Sequence, residues 1–411
     1  MMMAVNLKAP DPAALAAIAG VELGFAEAGI RKAGRRDLML MRFAPGTRVA
    51  GVFTQNSFAA APVLLCRERI NAGAPIRAII VNAGNANCGT GAQGLAAARK
   101  TCEAAARLIG CAPEAVLPFS TGVILEHLPV ERIEAALPDC VKTLAANHWA
   151  DAASAIMTTD TVPKGASASA TVGGKTVRVT GIAKGVGMLQ PNMATMLTYL
   201  ATDAAVAQPL LQRMVKEVAD QSFNRVTVDG DTSTNDSCML IATGQAGNAE
   251  IASADCADYA ALRAAVLAVA VPLAQAIARD GEGATKFISI RVSGAADEAE
   301  AARVGKCIAH SPLVKTAFFA SDPNLGRLIM AIGNAGIVDM DVSRVSIWLG
   351  DVRVLANGGR DAAYREEDGA RVMQPAEIDV HIALGRGNAE QTVWTCDFSY
   401  DYVKINAEYR T

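Results

Sequence analysis

A threonine can do acyl chemistry if the loop before it brings its hydroxyl to a reactive carbonyl. Residues 184–197, KGVGMLQPNMATML, have the composition for that arrangement. A lysine, two glycines (Gly185 and Gly187) and Pro191 precede the Ala194–Thr195 step, and these residue types favour special backbone conformations. Attack of the Thr195 hydroxyl on the Ala194 carbonyl would form an ester, and water would then release two chains. The new N-terminal threonine would carry its own α-amine. The ordinary pKa of that amine, about 7.7–8.0, suits a general base for the hydroxyl. The dipeptide itself is uninformative, because Ala-Thr occurs five times, ending at Thr171, Thr195, Thr202, Thr243 and Thr285. Residue types alone leave a buried loop threonine, at the start of a strand or helix, as the plainer reading.

The other reactive side chains form no pattern of their own. The four histidines (His127, His148, His310 and His381) show no HExxH-like spacing, so no zinc site is expected. A Ser-His-Asp or Cys-His enzyme could still draw on one of them, since such partners need not be close in sequence. The nine cysteines are scattered, odd in number and never spaced as CxxC, which fits reduced, mostly buried thiols. Residues 229–236, DGDTSTND, gather carboxylates but lack the glycine and glutamate of an EF-hand, and read as a hydrogen-bonded structural loop. Residues 185–187, GVG, make neither a Walker A loop nor a full GxGxxG, so no nucleotide is implied. Taken singly, Ser120-Thr121-Gly122 is a polar turn, Lys184 a solvated charge and Glu282 a surface residue between two glycines.

These residues must be positioned by a mixture of strands and helices. Residues 78–81, AIIV, predict a buried strand that empties into the polar loop 82–91. Residues 94–109 and 209–220 have helical spacing, the second opened by Pro209. Gly173-Gly174 separates two alternating segments and predicts a hairpin whose second arm runs into the loop at Lys184. After residue 286, FISIRVSG, EIDVHIALG and QTVWTCDFS read as strands of a smaller α+β unit, with a charged loop over 358–376.

At 411 residues the chain fits two or three domains, and 51% apolar residues with few aromatics describe a close-packed protein. A net charge of −3 gives no basic stripe for nucleic acid and no polybasic membrane patch. The N-terminus lacks a signal-peptide pattern, and the longest apolar run, 264–274, is interrupted by Pro272 and shorter than a span. A soluble cytoplasmic protein is expected.

The segment KGVGMLQPNMATMLTYLATDA resembles the nucleophile signature of the bifunctional ornithine acetyltransferase / N-acetylglutamate synthase family of arginine biosynthesis. Further blocks resemble the family in the same order: GVFTQNSFAAAPV, VNAGNANCGTG, STGVI, MTTDTVPK, SFNRVTVDGDTSTNDS, DGEGATKF, SDPNLGRL and the final YVKINAEYRT. One departure is Leu325, where the family often has tryptophan.

The resemblance implies an α/β sandwich of the self-cleaving N-terminal nucleophile type over residues 1–286, with a smaller C-terminal α+β domain over 287–411. It implies cleavage after Ala194 into chains 1–194 and 195–411, assembled as α2β2. It assigns Thr195 as nucleophile and Thr121 and Gly122 as the oxyanion hole. Thr158, Lys184, Glu282, Asn406 and Thr411 become substrate contacts, Lys184 suiting a carboxylate and Glu282 an ammonium or proton transfer around Thr195. A site role would also account for Thr411 as the last residue. The implied reaction moves an acetyl group from N-acetyl-ornithine to glutamate through acetyl-threonine. No cofactor or metal is implied, and acetyl-CoA serves as a further donor in some members. Two alternatives stay open: an N-terminal threonine hydrolase using water as acceptor, and a metabolite-binding protein with an intact chain.

Overall fold

The computed structural model describes residues 4–188 and 196–408. Ala194, Thr195 and Thr411 therefore lie outside the described residues. In chain order the first part gives β1 (Val21–Ala26), β2 (Leu38–Phe43), β3 (Arg48–Phe53), α1 (Ala61–Asn71), β4 (Ala78–Asn85), α2 (Gly91–Ile109), β5 (Val116–Val123) and α3 (Val130–Lys142). It continues with α4 (Trp149–Ala155), β6 (Lys164–Val172), β7 (Lys175–Lys184), β8 (Leu197–Thr202), α5 (Gln208–Gln221), β9 (Ser237–Ala242) and α6 (Ala257–Arg279).

Two sheets form, ordered β1-β2-β4-β5 and β3-β9-β8-β7-β6. Because successive side chains on a strand face opposite ways, each strand feeds two cores. Met39, Met41, Ile79, Val81, Leu117 and Phe119 of the first sheet meet Ile182, Tyr199, Met239 and Ile241 of the second. The alternate residues Leu38, Leu40, Ala78, Ile80 and Val116 pack outward on α2 and α3. Likewise Val179, Leu200, Cys238 and Leu240 pack outward on α5 and α6. The result is a mixed α/β sandwich of four layers, helix–sheet–sheet–helix, as the fold class expected. Double burial explains why β8 and β9 are buried at every position.

The remainder gives β10 (Phe287–Ala295), α7 (Glu298–His310), α8 (Pro312–Phe319), α9 (Leu325–Gly333), β11 (Ser346–Leu349), β12 (Val352–Ala356) and β13 (Gly359–Arg360). It closes with α10 (Glu366–Met373), β14 (Glu377–Ala383), β15 (Ala389–Cys396) and α11 (Tyr400–Ala407). These strands make one sheet, ordered β13-β12-β11-β14-β10-β15, around a core of its own. Phe287, Trp394 and Cys396 nevertheless pack into the core beside the second sheet, so the two units share side chains at their junction. Leu325, at the start of α9, packs against the smaller unit's core and does not line the site cleft described below.

The hairpin expected at Gly173-Gly174 joins β6 to β7, with both glycines at positive φ (54° and 73°). Three expectations need correction. Residues 82–85 continue β4 instead of forming a loop, because Asn82 to Asn85 pair with the Ser120–Val123 end of β5. The charged stretch 358–376 contains β13 and α10, the helix anchored by buried Val372 and Met373. The interrupted apolar run belongs to α6, a helix whose length and composition would suffice to cross a membrane. Its apolar positions Leu262, Val266, Val269, Leu273 and Ile277 pack inside the protein beside the second sheet.

Candidate active site

Six of the residues assigned by resemblance come from five parts of the fold and line one cleft of about 120 Å³: Thr121, Gly122, Thr158, Lys184, Glu282 and Asn406. Thr121 and Gly122 come from the end of β5, Lys184 from the end of β7 and Thr158 from the segment between α4 and β6. Glu282 follows α6, and Asn406 projects from α11. Met188 and Met196, which flank the undescribed residues, line the same cleft.

Lys184 is buried and donates to the hydroxyls of Thr121 at 3.0 Å and Thr158 at 2.9 Å. Burial pushes its pKa below the usual lysine value, and the charge of Lys164 pushes the same way while Asp160 opposes. The solvated charge expected from residue type alone is therefore wrong, because the end of β7 lies inside the sandwich. Glu282 is buried too, correcting the surface turn residue. Its two oxygens accept from Thr159 Oγ1 at 2.9 Å and Asn406 Nδ2 at 3.0 Å. Burial raises its pKa, against the lowering effect of those two hydrogen bonds. Gly187 packs closely against it: a Cβ there would stand 2.3 Å from Glu282 Oε2, so a larger residue would have to displace the Glu282 carboxylate.

Asn406 reaches the cleft because the segment that leads into α11 is sutured to residues 283–286. Asp397 accepts from the backbone N–H groups of Thr285 and Lys286, both at 2.8 Å, and Ser399 Oγ donates to the Gly283 carbonyl at 2.6 Å. Gly283, at φ 71°, lies so close to α11 that a Cβ would come within 2.4 Å of the Tyr402 nitrogen. Gly122 is similarly constrained, with φ 134° and a would-be Cβ 2.2 Å from Gly84 backbone. Gly122→Ala is expected to lower stability by at least about 1–3 kcal/mol through φ strain alone. Urea denaturation would check this, and an unchanged midpoint would contradict it.

Behind Lys184 lies an ion cluster that residue-by-residue reading missed. Lys164 Nζ donates to Asp160 Oδ1 at 2.7 Å and Asp280 Oδ2 at 2.6 Å, with all three side chains inaccessible to solvent. Asp160 also accepts from the backbone of Gly185 at 2.9 Å and of Thr158 at 3.1 Å. It thus ties the backbone of two cleft residues to one carboxylate. Burial alone would raise the Asp160 pKa, but Lys164 and Lys184 hold it well below the carboxylate range. The signal lay in MTTDTVPK and DGEGATKF, short polar blocks that hold all three charges.

The 229–236 segment is a structural loop beside the cleft, as expected. Asn235 Nδ2 donates to the carbonyls of Ala86 and Ser120, at 2.7 and 2.8 Å, and Asp229 accepts from Met188 N. Among the described residues no group of three or more His, Cys, Asp or Glu could hold a metal. None of the four histidines lines the cleft. Glu282→Gln would keep the cleft's shape while deleting a charge. It is expected to lower kcat/KM about 100-fold. In the parent protein, the acid limb of the pH profile should lie above the ordinary carboxylate pKa, and the variant should lose it.

The ArgJ family model matches residues 22–411. The chain belongs to the ArgJ family. ArgJ family enzymes are acyltransferases of arginine biosynthesis, and that is the activity class of this chain. Two solved structures are similar in sequence. The arginine biosynthesis bifunctional protein argJ of Bacillus halodurans is 38% identical over 51% of this chain and 97% of its own, with a TM-score of 0.47. The ornithine acetyltransferase of Mycobacterium tuberculosis, solved with ornithine, is 34% identical over 44% of this chain and 94% of its own, with a TM-score of 0.38.

Proposed function

We propose that this ArgJ-family chain cleaves itself between Ala194 and Thr195 and then transfers an acetyl group from N-acetyl-ornithine to glutamate. The observation that carries the reading is the convergence of Thr121, Gly122, Thr158, Lys184, Glu282 and Asn406 on one cleft. Met196, which is covalently bonded to Thr195, lines that cleft as well.

In the first step the Thr195 hydroxyl adds to the Ala194 carbonyl, the peptide C–N bond breaks, and an ester with a free α-amine remains. Water hydrolyses the ester, giving chains 1–194 and 195–411. In turnover the α-amine accepts the hydroxyl proton as Thr195 Oγ attacks the acetyl carbonyl. Thr121 and Gly122 stabilise the developing oxyanion, a contribution commonly about 2.7–4 kcal/mol. The C–N bond to ornithine breaks, and its nitrogen leaves with the proton. The amine of glutamate then attacks the acetyl ester, forming N-acetylglutamate and restoring Thr195. A covalent intermediate divides one difficult amide exchange into two easier steps.

Lys184 is suited to a substrate carboxylate, and Glu282 to the ammonium group or to proton transfer. Thr158, Asn406 and Thr411 complete the substrate contacts. The mature protein would be an α2β2 assembly in the cytoplasm, with residues 1–286 and 287–411 as its two domains. It would need no cofactor, metal, nucleic acid or membrane.

The test is an exchange assay with N-acetyl-ornithine and glutamate as the sole substrates. Formation of N-acetylglutamate and ornithine in equal amounts is expected. Ornithine and acetate appearing without glutamate would mean that water is the acceptor and that the protein is a hydrolase. Acetyl-CoA offered as the only donor distinguishes bifunctional from monofunctional catalysis.

A further inference from the structure

A second hollow, of about 300 Å³, adjoins the cleft and shares Gly122, Thr158 and Thr159 with it. Its lining includes Arg31, Lys32 and Arg35, with Ile405 and Glu408 from the C-terminal segment. The charges there are unequally engaged. Asp37, its buried acid, already accepts from the backbone of Ala28 at 2.7 Å and of Ile30 at 2.6 Å. Arg31 pairs with Glu126 at 3.3 Å. Arg35 donates to the carbonyls of Met157 and Thr158, which fix its guanidinium without cancelling its charge. Among the described residues no carboxylate lies within 4 Å of Arg35, and the exposed Lys32 makes no hydrogen bond or ion pair. The hollow thus offers Lys32 and Arg35 as cationic donors, while the buried carboxylate of Asp37 is committed to backbone and that of Glu408, the other acid of the lining, is exposed.

We propose that this hollow binds an anionic oxygen group, a carboxylate or a phosphate, at the non-reacting end of a substrate whose reacting end occupies the cleft. The inference rests on the acyl-transfer reading of the cleft. Lys184 provides one buried cation there, so a substrate with a second, distant anion needs a second cationic region. The shared wall of Gly122, Thr158 and Thr159 makes the two spaces neighbours. Two sources of the anion fit this chemistry: the side-chain carboxylate of a dicarboxylic amino-acid acceptor, and the phosphates of a nucleotide-bearing acyl thioester.

The test uses the full-length enzyme and its Lys32→Glu variant. Lys32 is exposed and unbonded among the described residues, so the fold should tolerate the change. Steady-state kinetics compare glutamate with glutamine as acceptor, and acetyl-CoA with the neutral thioester acetyl-S-N-acetylcysteamine as donor. The variant is expected to raise KM about tenfold for the anionic member of one pair, with kcat within twofold and the neutral member unaffected. A shift confined to glutamate identifies a carboxylate, and one confined to acetyl-CoA identifies phosphate. Unchanged KM values in a variant with normal turnover would overturn the proposal. Calorimetric titration with glutarate and with inorganic pyrophosphate reads the hollow without turnover. Equal binding of both probes by parent and variant would also overturn it. A parent enzyme that makes no N-acetylglutamate from any donor would instead sink the acyl-transfer reading, leaving the titrations to judge the hollow.

Discussion

Thr195→Ala is expected to yield a single chain of 42.6 kDa and to lower acetyl transfer by about four orders of magnitude or more. Both effects follow from one deletion, because the same hydroxyl is proposed to attack the Ala194 carbonyl and then the substrate. Intact mass under denaturing conditions separates the two roles. The parent protein should give two species, residues 1–194 and 195–411, and the variant one. Thr195→Ser keeps a hydroxyl and should restore cleavage together with part of the activity. An uncut parent protein that turns over normally would rule out an N-terminal α-amine as base and require a different nucleophile. An alanine variant that still cleaves would move the scissile bond elsewhere.

Asp160→Ala is the substitution expected to cost most in stability, about 3–5 kcal/mol. It removes one of the two carboxylates on buried Lys164 and leaves the Gly185 and Thr158 N–H groups without their acceptor. It also takes a neutralising charge away from Lys184, which should lower KM-independent turnover beyond the stability effect. Asp160→Asn retains an oxygen acceptor but no charge, so it should restore part of the geometry while still exposing the electrostatic loss. Urea denaturation of the two variants measures the difference.

The pH dependence has a defined sign. The folded-state pKa of Asp160 is depressed, so its contribution is complete above the unfolded value of about 3.9 and disappears as pH falls toward the folded one. For Lys164, burial alone would lower the pKa, but Asp160 and Asp280 raise it above the ordinary lysine value. Its contribution is complete below the unfolded pKa, about 10.4, and is lost as pH rises through the folded one. The cluster should therefore weaken at both extremes. Equal acid sensitivity in parent and Asp160→Asn would argue against this account.

Apolar periodicity revealed much of the scaffold. AIIV predicted the core of β4, and the double glycine predicted the β6–β7 hairpin, because both signals are local. The polar continuation of β4 was hidden: Asn82 is stabilised there by β-pairing and by accepting from Ser120 Oγ at 2.6 Å, a partner 38 residues away. Helix α10 was hidden for a related reason, since its buried face consists mainly of Val372 and Met373. The site was less legible than the scaffold. Lys184 and Glu282 are charged residues among glycines, and charge ordinarily signals exposure. Their recognition depended on resemblance to a family. Even that resemblance did not single out Asp160, Lys164 and Asp280, whose importance comes from mutual burial.

The register of β7 against β8 bears on how a cut protein would live. Lys184 pairs with Leu197, and the antiparallel ladder continues to Val179 opposite Thr202. Scission at 194/195 would fall in the connection between these neighbours and break none of the pairings between them. The two products would remain interleaved: β3, β6 and β7 from one, β8 and β9 from the other, in a single sheet. Their mutual interface would be the protein's own interior, so parting them would amount to unfolding. Biogenesis of a cut protein would then have a required order, with folding first and proteolysis second. A cell supplied with the pieces as separate transcripts would have to rebuild the middle of a β-sheet from strangers.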